Sequence, residues 1–111
     1  MSRPLLLIAT LAALAVPSAA LSQDRQASAE TRATYERMDP LSRSLFWQHE
    51  AEINPADPVA GVRLAQALRE LGQFDQAVQA ADKVLVVQPD NAEAMIELGR
   101  AHIARGQAFY G

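Results

Sequence analysis

The chain has 111 residues, which limits it to at most one small domain. Half of the residues are apolar but only 5% are aromatic, and this alanine-rich composition is typical of closely packed helices, so we expect an all-α fold. Thirteen acidic residues against ten basic ones give a net charge of −3, which argues against the clustered basic surface of nucleic-acid binders.

Residues 1–22 have the pattern of a cleavable secretory signal peptide. A positive charge at Arg3 precedes an apolar stretch that ends at Val16, and small residues follow up to Ser22. We expect cleavage after Ser22, with cleavage after Ala20 as the second choice. A transmembrane anchor is the alternative, but it needs about 20 apolar residues. The mature chain is therefore predicted to be periplasmic. Since it has no cysteine, it should carry no disulfide and no bacterial lipid anchor.

Residues 23–38 form a polar leader that is predicted to be flexible or partly helical. Its sequence, QDRQASAETRATYERM, offers only Tyr35 and Met38 to a hydrophobic core. The folded domain is expected to comprise residues 39–111.

Helix signals follow one another in regular order from Asp39 onward. Aspartate before proline, at Asp39 and again at Asp57, combines an N-cap side chain with proline at the first helical position. Gly72 is typical of a helix end, Pro89 stops a helix, and Asp90 is predicted to cap the last helix in capping-box register. The predicted helices are 40–53, 58–71, 74–87 and 91–105.

Several residue types recur at one constant offset along the chain. The offset that separates Pro55 from Pro89 also separates Gly72 from Gly106. Three further pairs have the same offset: Leu64 and Leu98, Ala67 and Ala101, and Gln73 and Gln107. Several independent matches at one offset predict a helical repeat with a period of about 34 residues.

This pattern resembles the tetratricopeptide repeat (TPR) family over residues 41–111. The resemblance implies a short helical solenoid of about one and a half repeats plus an upstream helix. It assigns structural positions to Leu64, Ala65, Leu68, Gly72, Phe74, Ala77, Pro89, Leu98, Gly99 and Gly106. The chain departs from the family pattern at Gly61 and Ala81, where large aromatic residues are common. We expect Trp47 and Phe46 to fill these gaps.

The resemblance also implies a protein-binding surface. Stacked repeats turn their first helices toward a concave groove that holds a peptide or a helix. The residues predicted to line this groove are Val62, Arg63, Gln66, Arg69, Glu93, Ile96, Glu97, Arg100 and Ile103. Because Val62 and Ile96 stand where carboxylate-binding members have lysine, the groove suits an amphipathic or acidic-hydrophobic segment better than a C-terminal carboxylate. The alternative is that some of these apolar residues pack against Trp47 or a neighbouring helix.

The exported leader, the segment RMDPLSRSLFWQHEAEINPADPVAGVRLAQALRELGQFDQA and the terminal ARGQAFYG together resemble the TadD-type TPR component of tight-adherence (Flp) pilus assembly. That resemblance implies a non-enzymatic periplasmic adaptor or chaperone in cell-envelope assembly, for Flp/Tad-type pilus biogenesis or secretion. Its partner would be an envelope or pilus-assembly protein. Members of that group are often lipoproteins and usually longer, whereas this chain has no cysteine. The alternative is a truncated fragment of a longer TPR protein with little activity of its own.

Catalytic or metal-binding chemistry has little support in the sequence. The stretch HEAEI begins at His49, but the zinc-binding helix motif needs a second histidine four residues later, where this chain has Ile53. His102 takes the position of Leu68 in the preceding repeat and is expected to be a half-buried packing residue. No glycine-framed nucleophile or phosphate-binding loop is present, so we predict no catalytic residue, cofactor or metal. A His-dependent metal-binding protein or enzyme is a minor alternative.

The last residues repeat the pattern of the turn at Gly72. Gly106 is expected to end a helix, with Phe109 and Tyr110 as the first apolar residues of the next one. One apolar side of the preceding helix should then be open. We expect Phe109 and Tyr110 to fold back over that side, or another chain to cover it, including a second copy of this protein. The open side consists of Met95, Leu98 and His102.

Overall fold

The computed structural model describes residues 25–110, so the predicted signal peptide and its cleavage site lie outside the described residues. Within this range the chain is all-helical and has the form of a short helical solenoid, which confirms the predicted fold class. The five helices of the described range are α1 (Ala29–Glu36), α2 (Pro40–Ile53), α3 (Pro58–Glu70), α4 (Phe74–Val87) and α5 (Ala92–Tyr110). In this part of the chain, no helix is long and apolar enough to cross a membrane.

Capping side chains, prolines and a glycine set the ends of the helices. The side chain of Asp39 accepts a hydrogen bond at 3.0 Å from the backbone N–H three residues later, and Asp57 accepts one at 3.0 Å from the N–H two residues later. In both cases proline is the first helical residue. Gly72 follows α3 with a φ of 80°, which glycine adopts at little cost, and α4 begins two residues later.

The repeat extends further upstream in the structure than the sequence pattern indicated. α2 and α4 both have 14 residues, and they begin and end one repeat period apart. α3 begins one period before α5 begins, and α1 ends one period before α3 ends. α2 is therefore the second helix of an earlier repeat, and α1 corresponds to the last part of that repeat's first helix.

Short apolar side chains hold α3, α4 and α5 together. The smaller of two apolar clusters joins Val62 of α3, Val84 of α4 and Ala94 of α5, with Leu85 packed against it. Because alanine side chains are short, helices that meet through them approach closely. The main cluster consists of Ala65, Leu68, Ala77, Ala80, Ala81 and Ala101, with Leu64, Val78 and Leu98 packed against it.

Gly61 allows α4 to pack directly against α3. A Cβ atom at this position would overlap Cγ2 of Val84, a buried side chain near the end of α4. The expectation that Trp47 and Phe46 fill the space at Gly61 is therefore wrong, because Val84 occupies it. Trp47 is 2% exposed, and it contacts the ring of Phe46 edge-on and the guanidinium of Arg32.

The predicted N-cap of α5 is wrong by one residue. Oδ1 of Asn91 accepts a hydrogen bond from the backbone N–H of Ala94 at 2.9 Å, whereas Asp90 is exposed and precedes the cap. An asparagine at this position satisfies one of the free N–H groups of the first helical turn as well as aspartate does. Asn91 thus has the role that the sequence pattern assigned to Asp90.

α5 continues to Tyr110, five residues beyond its predicted end. Gly106 keeps helical backbone geometry, and Gly72 is the only described glycine with a positive φ. No described helix follows that could stabilise a turn here by packing against α5. The backbone hydrogen bonds of the helix therefore continue. Phe109 and Tyr110 are 81% and 88% exposed, so the expectation that they fold back over α5 is wrong.

Candidate interaction groove

Side chains from α3 and α5 line a cavity of about 190 Å³. Seven of the nine residues predicted to form the groove line it. Arg69 and Ile103 are the two that do not, although Arg69 reaches one of the lining residues. The lining residues are Val62, Arg63, Gln66, Glu93, Ile96, Glu97 and Arg100.

The apolar residues of the groove differ sharply in exposure. Val62 is only 5% exposed because it belongs to the core cluster with Val84. It therefore forms the floor of the groove and is not the outward-facing contact that the repeat register implied. Ile96 is 51% exposed and Ile103 is 64% exposed, so these two side chains are available to a partner.

Glu97 lies buried between two arginines. Nε of Arg69 donates to its Oε2 at 3.0 Å, and Nη1 of Arg100 donates to its Oε1 at 3.0 Å. The carboxylate side chain is 7% exposed, whereas the Arg100 side chain is 57% exposed. Glu97 was predicted to face the partner, and the structure shows it as a support that positions two arginines. Buried carboxylates need such partners, because desolvation of an unpaired charge is costly.

An ion pair connects the groove to α1. Nε of Arg63 forms an ion pair with Glu36 at 3.2 Å, and both side chains are more than one third exposed. Exposed pairs of this kind contribute little to stability. Breaking the Arg63–Glu36 pair should therefore change the stability of the fold little.

A buried carboxylate holds the leader against the repeats. Both Oε atoms of Glu50 accept from the backbone N–H of Ala27, at 3.0 and 3.1 Å, and Arg32 Nε donates to Glu50 at 2.9 Å. Arg32 also donates to Asp57 at 2.6 Å and lies over the ring of Trp47, 5.1 Å from its centroid. Sequence reasoning missed this network, because its members are 18 to 25 residues apart and share no motif.

A larger cavity of about 570 Å³ lies between α2, α3 and α4 and was not predicted. Gly61, Leu64 and Val84 contribute to its apolar lining, and Gln48 and Lys83 belong to its polar lining. No sequence pattern points to it, because the space at Gly61 itself is filled by Val84.

The two histidines do not form a site in the described part of the chain. His49 is exposed, and Nδ1 of His102 lies 2.8 Å from Nη2 of Arg105. His102 is also exposed, so the expectation that it is a half-buried packing residue is wrong. Among residues 25–110, no three His, Asp or Glu side chains come together as a group that could hold a metal ion.

Comparisons with known proteins point to the same repeat. A family model for the tetratricopeptide repeat matches residues 58–101. The chain is also similar to the Protein CTR9 homolog of Arabidopsis thaliana, with 44% identity over 62 residues that cover 53% of this chain. The alignment spans only 6% of the length of that protein. No solved structure matches the chain significantly.

The range matched by the family model coincides with the helices that build the groove. It begins at Pro58, the first residue of α3, and ends at Ala101, which is buried in the middle of α5. Residues 58–101 of this chain therefore match the tetratricopeptide repeat in both sequence pattern and helix order, and repeats of this kind serve as protein–protein interaction modules.

Proposed function

We propose that this protein is a non-enzymatic interaction module that holds an amphipathic, acidic-hydrophobic segment of a partner protein in the groove between α3 and α5. The composition of the groove carries the proposal. Exposed Ile96 stands beside Arg63 and Arg100, so an apolar contact is flanked by basic side chains. A segment with one apolar face and acidic neighbours is complementary to this arrangement.

The charge distribution around Glu97 supports an acidic partner. One carboxylate neutralises only one of the two arginines that contact it, and the more exposed of them is Arg100. A carboxylate of the partner that reaches Arg100 would form a charge-assisted hydrogen bond at the rim of the groove. Because Glu97 already orients Arg100, less side-chain entropy is lost when the partner binds.

The cellular role that we propose is export to the periplasm and cell-envelope assembly, most specifically Flp/Tad-type pilus biogenesis or secretion. Two sequence features support this role. Residues 1–22 have the pattern of a cleavable signal peptide, and the mature segment resembles the TPR component of tight-adherence pili. The partner would then be an envelope or pilus-assembly protein.

Site-specific photo-crosslinking in the exporting host tests the groove. A photoreactive residue at Gln66, which lines the groove, should give one discrete adduct with an envelope protein. The same residue at Val86, which is 82% exposed on α4 and does not line the groove, should give none. Equal labelling from both positions, or adducts from neither, would refute binding in the groove.

A matched pair of arginine variants tests the role of charge. Arg63→Ala removes a basic side chain of the groove, and Arg37→Ala removes an exposed basic side chain outside it. We expect the Gln66 adduct to weaken several-fold in the first variant and to persist in the second. Circular dichroism should show both variants folded, since the Arg63–Glu36 pair is exposed.

Export and pilus function are tested in the native host. Mass spectrometry of the periplasmic protein should show cleavage after Ser22 or Ala20. Deletion of the gene should abolish surface pili, and the full chain should restore them while a chain without residues 1–22 should not. Normal piliation of the deletion strain would refute the pilus role and leave the interaction role standing.

A second candidate is that the chain works as one segment of a longer TPR array, with little activity by itself. The alignment to a small part of the Arabidopsis protein, 6% of its length, favours this reading. It predicts that appending a further repeat raises the melting temperature strongly and creates partner binding that the chain alone lacks. Gln66 adducts formed by the chain as it stands would contradict it.

A further inference from the structure

α5 carries two different faces. One face is buried against α3 and α4 through Ala94, Glu97 and Ala101. Most side chains on the other face are apolar, and the large ones among them are about half exposed or more. The large residues among them are Met95 at 49%, Ile96 at 51%, Ile103 at 64%, Phe109 at 81% and Tyr110 at 88% exposure.

Two glycines lie on the same exposed face. A Cβ atom built on Gly99 or on Gly106 would meet nothing within 4 Å. Neither glycine is therefore needed for packing within the described part of the chain, and each weakens the helix by about 0.5–1 kcal/mol relative to alanine. Glycines on a helix face allow the axis of another helix to come close.

The positions on the exposed face are symmetric about its centre, although the residue types differ. An antiparallel copy centred between His102 and Ile103 places Gly99 opposite Gly106 of the second copy. It also places Met95 and Ile96 opposite Tyr110 and Phe109. Each member of the set therefore lies level with another member of it, as a two-fold interface requires. The set consists of Met95, Ile96, Gly99, His102, Ile103, Gly106, Phe109 and Tyr110.

The size of the face also fits a second copy. Phe109 and Tyr110 alone expose roughly 300 Å², given about 150–250 Å² for a fully exposed aromatic side chain. With the three aliphatic side chains the exposed face approaches about 600 Å², the upper end for the largest apolar patch of a monomer. A stable interface buries about 800 Å² on each partner, so this face supplies most of one.

We propose that α5 pairs with α5 of a second copy of this chain, antiparallel and in close contact, about a two-fold axis that passes between His102 and Ile103. The large side chains at the two ends of the face cover each other, and the glycines near its centre let the two helices approach. This self-association uses a different face of α5 from the groove, although Ile96 borders both surfaces.

Replacing the glycines distinguishes this pairing from nonspecific hydrophobic association. Gly99→Leu and Gly106→Leu fit the monomer, because the space around each glycine is open, but they block the close approach of two helices. We expect either variant to raise the dimer dissociation constant by about ten- to a hundredfold in sedimentation experiments. Ala108→Leu, which adds the same side chain to α5 outside the paired face, should leave it unchanged. Stronger association of the glycine variants would overturn the proposal.

Single introduced cysteines test the geometry independently of the glycine variants. The natural chain has no cysteine that could interfere. Ile103→Cys lies next to the proposed axis, so oxidation should link two copies into a dimer. Met95→Cys should not be linked, because its copy would be roughly 22 Å away at about 1.5 Å per residue along the helix, beyond the ~7 Å limit for a disulfide. Linking of both variants would indicate a parallel pair and overturn the proposal. A chain that stays monomeric up to several hundred micromolar would also overturn it, and would indicate that a different protein or another part of this chain covers the face.

Self-association and groove binding share some residues but have separate readouts. The dimer covers Ile103 and part of Ile96, and it leaves Arg63 and Gln66 of α3 accessible. A failure of the Gln66 crosslink with an intact Ile103 disulfide would remove the proposed function and leave the dimer. The opposite result would remove the dimer and leave the proposed function.

Discussion

Replacing Gly61 by alanine should destabilise the protein although alanine is the better helix former. The added Cβ atom would overlap Cγ2 of Val84, which is 6% exposed and belongs to the opposite helix. Valine is stiff about its first side-chain torsion, so its methyl group cannot swing aside within a packed interface. α3 and α4 must therefore move apart or strain.

The expected size follows from two opposing effects. Alanine gains about 1 kcal/mol in helix propensity over glycine, whereas overpacking a core by one methyl costs about 1–3 kcal/mol. We therefore expect Gly61→Ala to lower the free energy of unfolding by about 1 kcal/mol. Gly99→Ala, with open space around its Cβ, should raise it by about 0.5–1 kcal/mol. The sign of the change thus separates two glycines that have the same residue type and the same helical backbone.

Urea unfolding provides the assay, with fluorescence of the single tryptophan, Trp47, as the probe. The measurements belong at about 1 µM protein, so that self-association contributes little. Val84→Ala should rescue Gly61→Ala, because it removes the methyl group that overlaps. The double mutant should be more stable than the sum of the single changes by about 1–2 kcal/mol. Equal stabilisation by alanine at positions 61 and 99 would refute the close contact with Val84.

Three further predictions concern polar contacts. Glu50→Ala should cost about 2–4 kcal/mol in the free energy of unfolding, because it leaves partly buried donors without an acceptor, and hydrogen exchange in α1 should accelerate. Asn91→Ala should cost about 1 kcal/mol in thermal unfolding, whereas Asp90→Ala should change it by less than about 0.5 kcal/mol; equal effects would contradict the cap. Hydrogen bonds from Arg43 lower the pKa of Glu70 below its ordinary value of 4.5, so the stabilisation from this pair is present above pH 4.5 and is lost as the pH falls through the lowered value. In urea titrations at each pH, Arg43→Gln should flatten the loss of stability on acidification, and an unchanged profile would argue against the pair.

The fold could be predicted from the sequence because its signals are local. Asp39 and Asp57 each precede a proline, and an N-cap side chain needs only the backbone within the next three residues. Gly72 likewise acts through its own φ angle. The repeat also brings most of the predicted groove residues together. A repeat of constant period places equivalent helix positions side by side, and seven of the nine predicted residues line one cavity.

Most of the structural features that the sequence did not predict depend on contacts between residues far apart in the chain. Glu50 belongs to the network that holds the leader, but its partners lie 18 and 23 residues upstream. Trp47 lies one repeat period before Ala81, so it occupies in the earlier repeat the position where an aromatic residue is missing in the next one. The expectation that Trp47 fills that gap overlooks that α2 is itself the second helix of a repeat.

The sequence by itself determined the all-helical class, the starts of α2, α3 and α4 and the period of the repeat, since capping groups and apolar spacing act within a few residues. Only the tertiary structure decided how the two faces of the helices are used. Val62 and Glu97 stand in outward-facing repeat positions, and the close approach of alanine-rich helices buries both. At Gly106 the local signal predicted a turn, but no described helix packs against a turned segment there, and the helix continues to Tyr110. A glycine permits a turn, and packing with a following helix determines whether the turn forms.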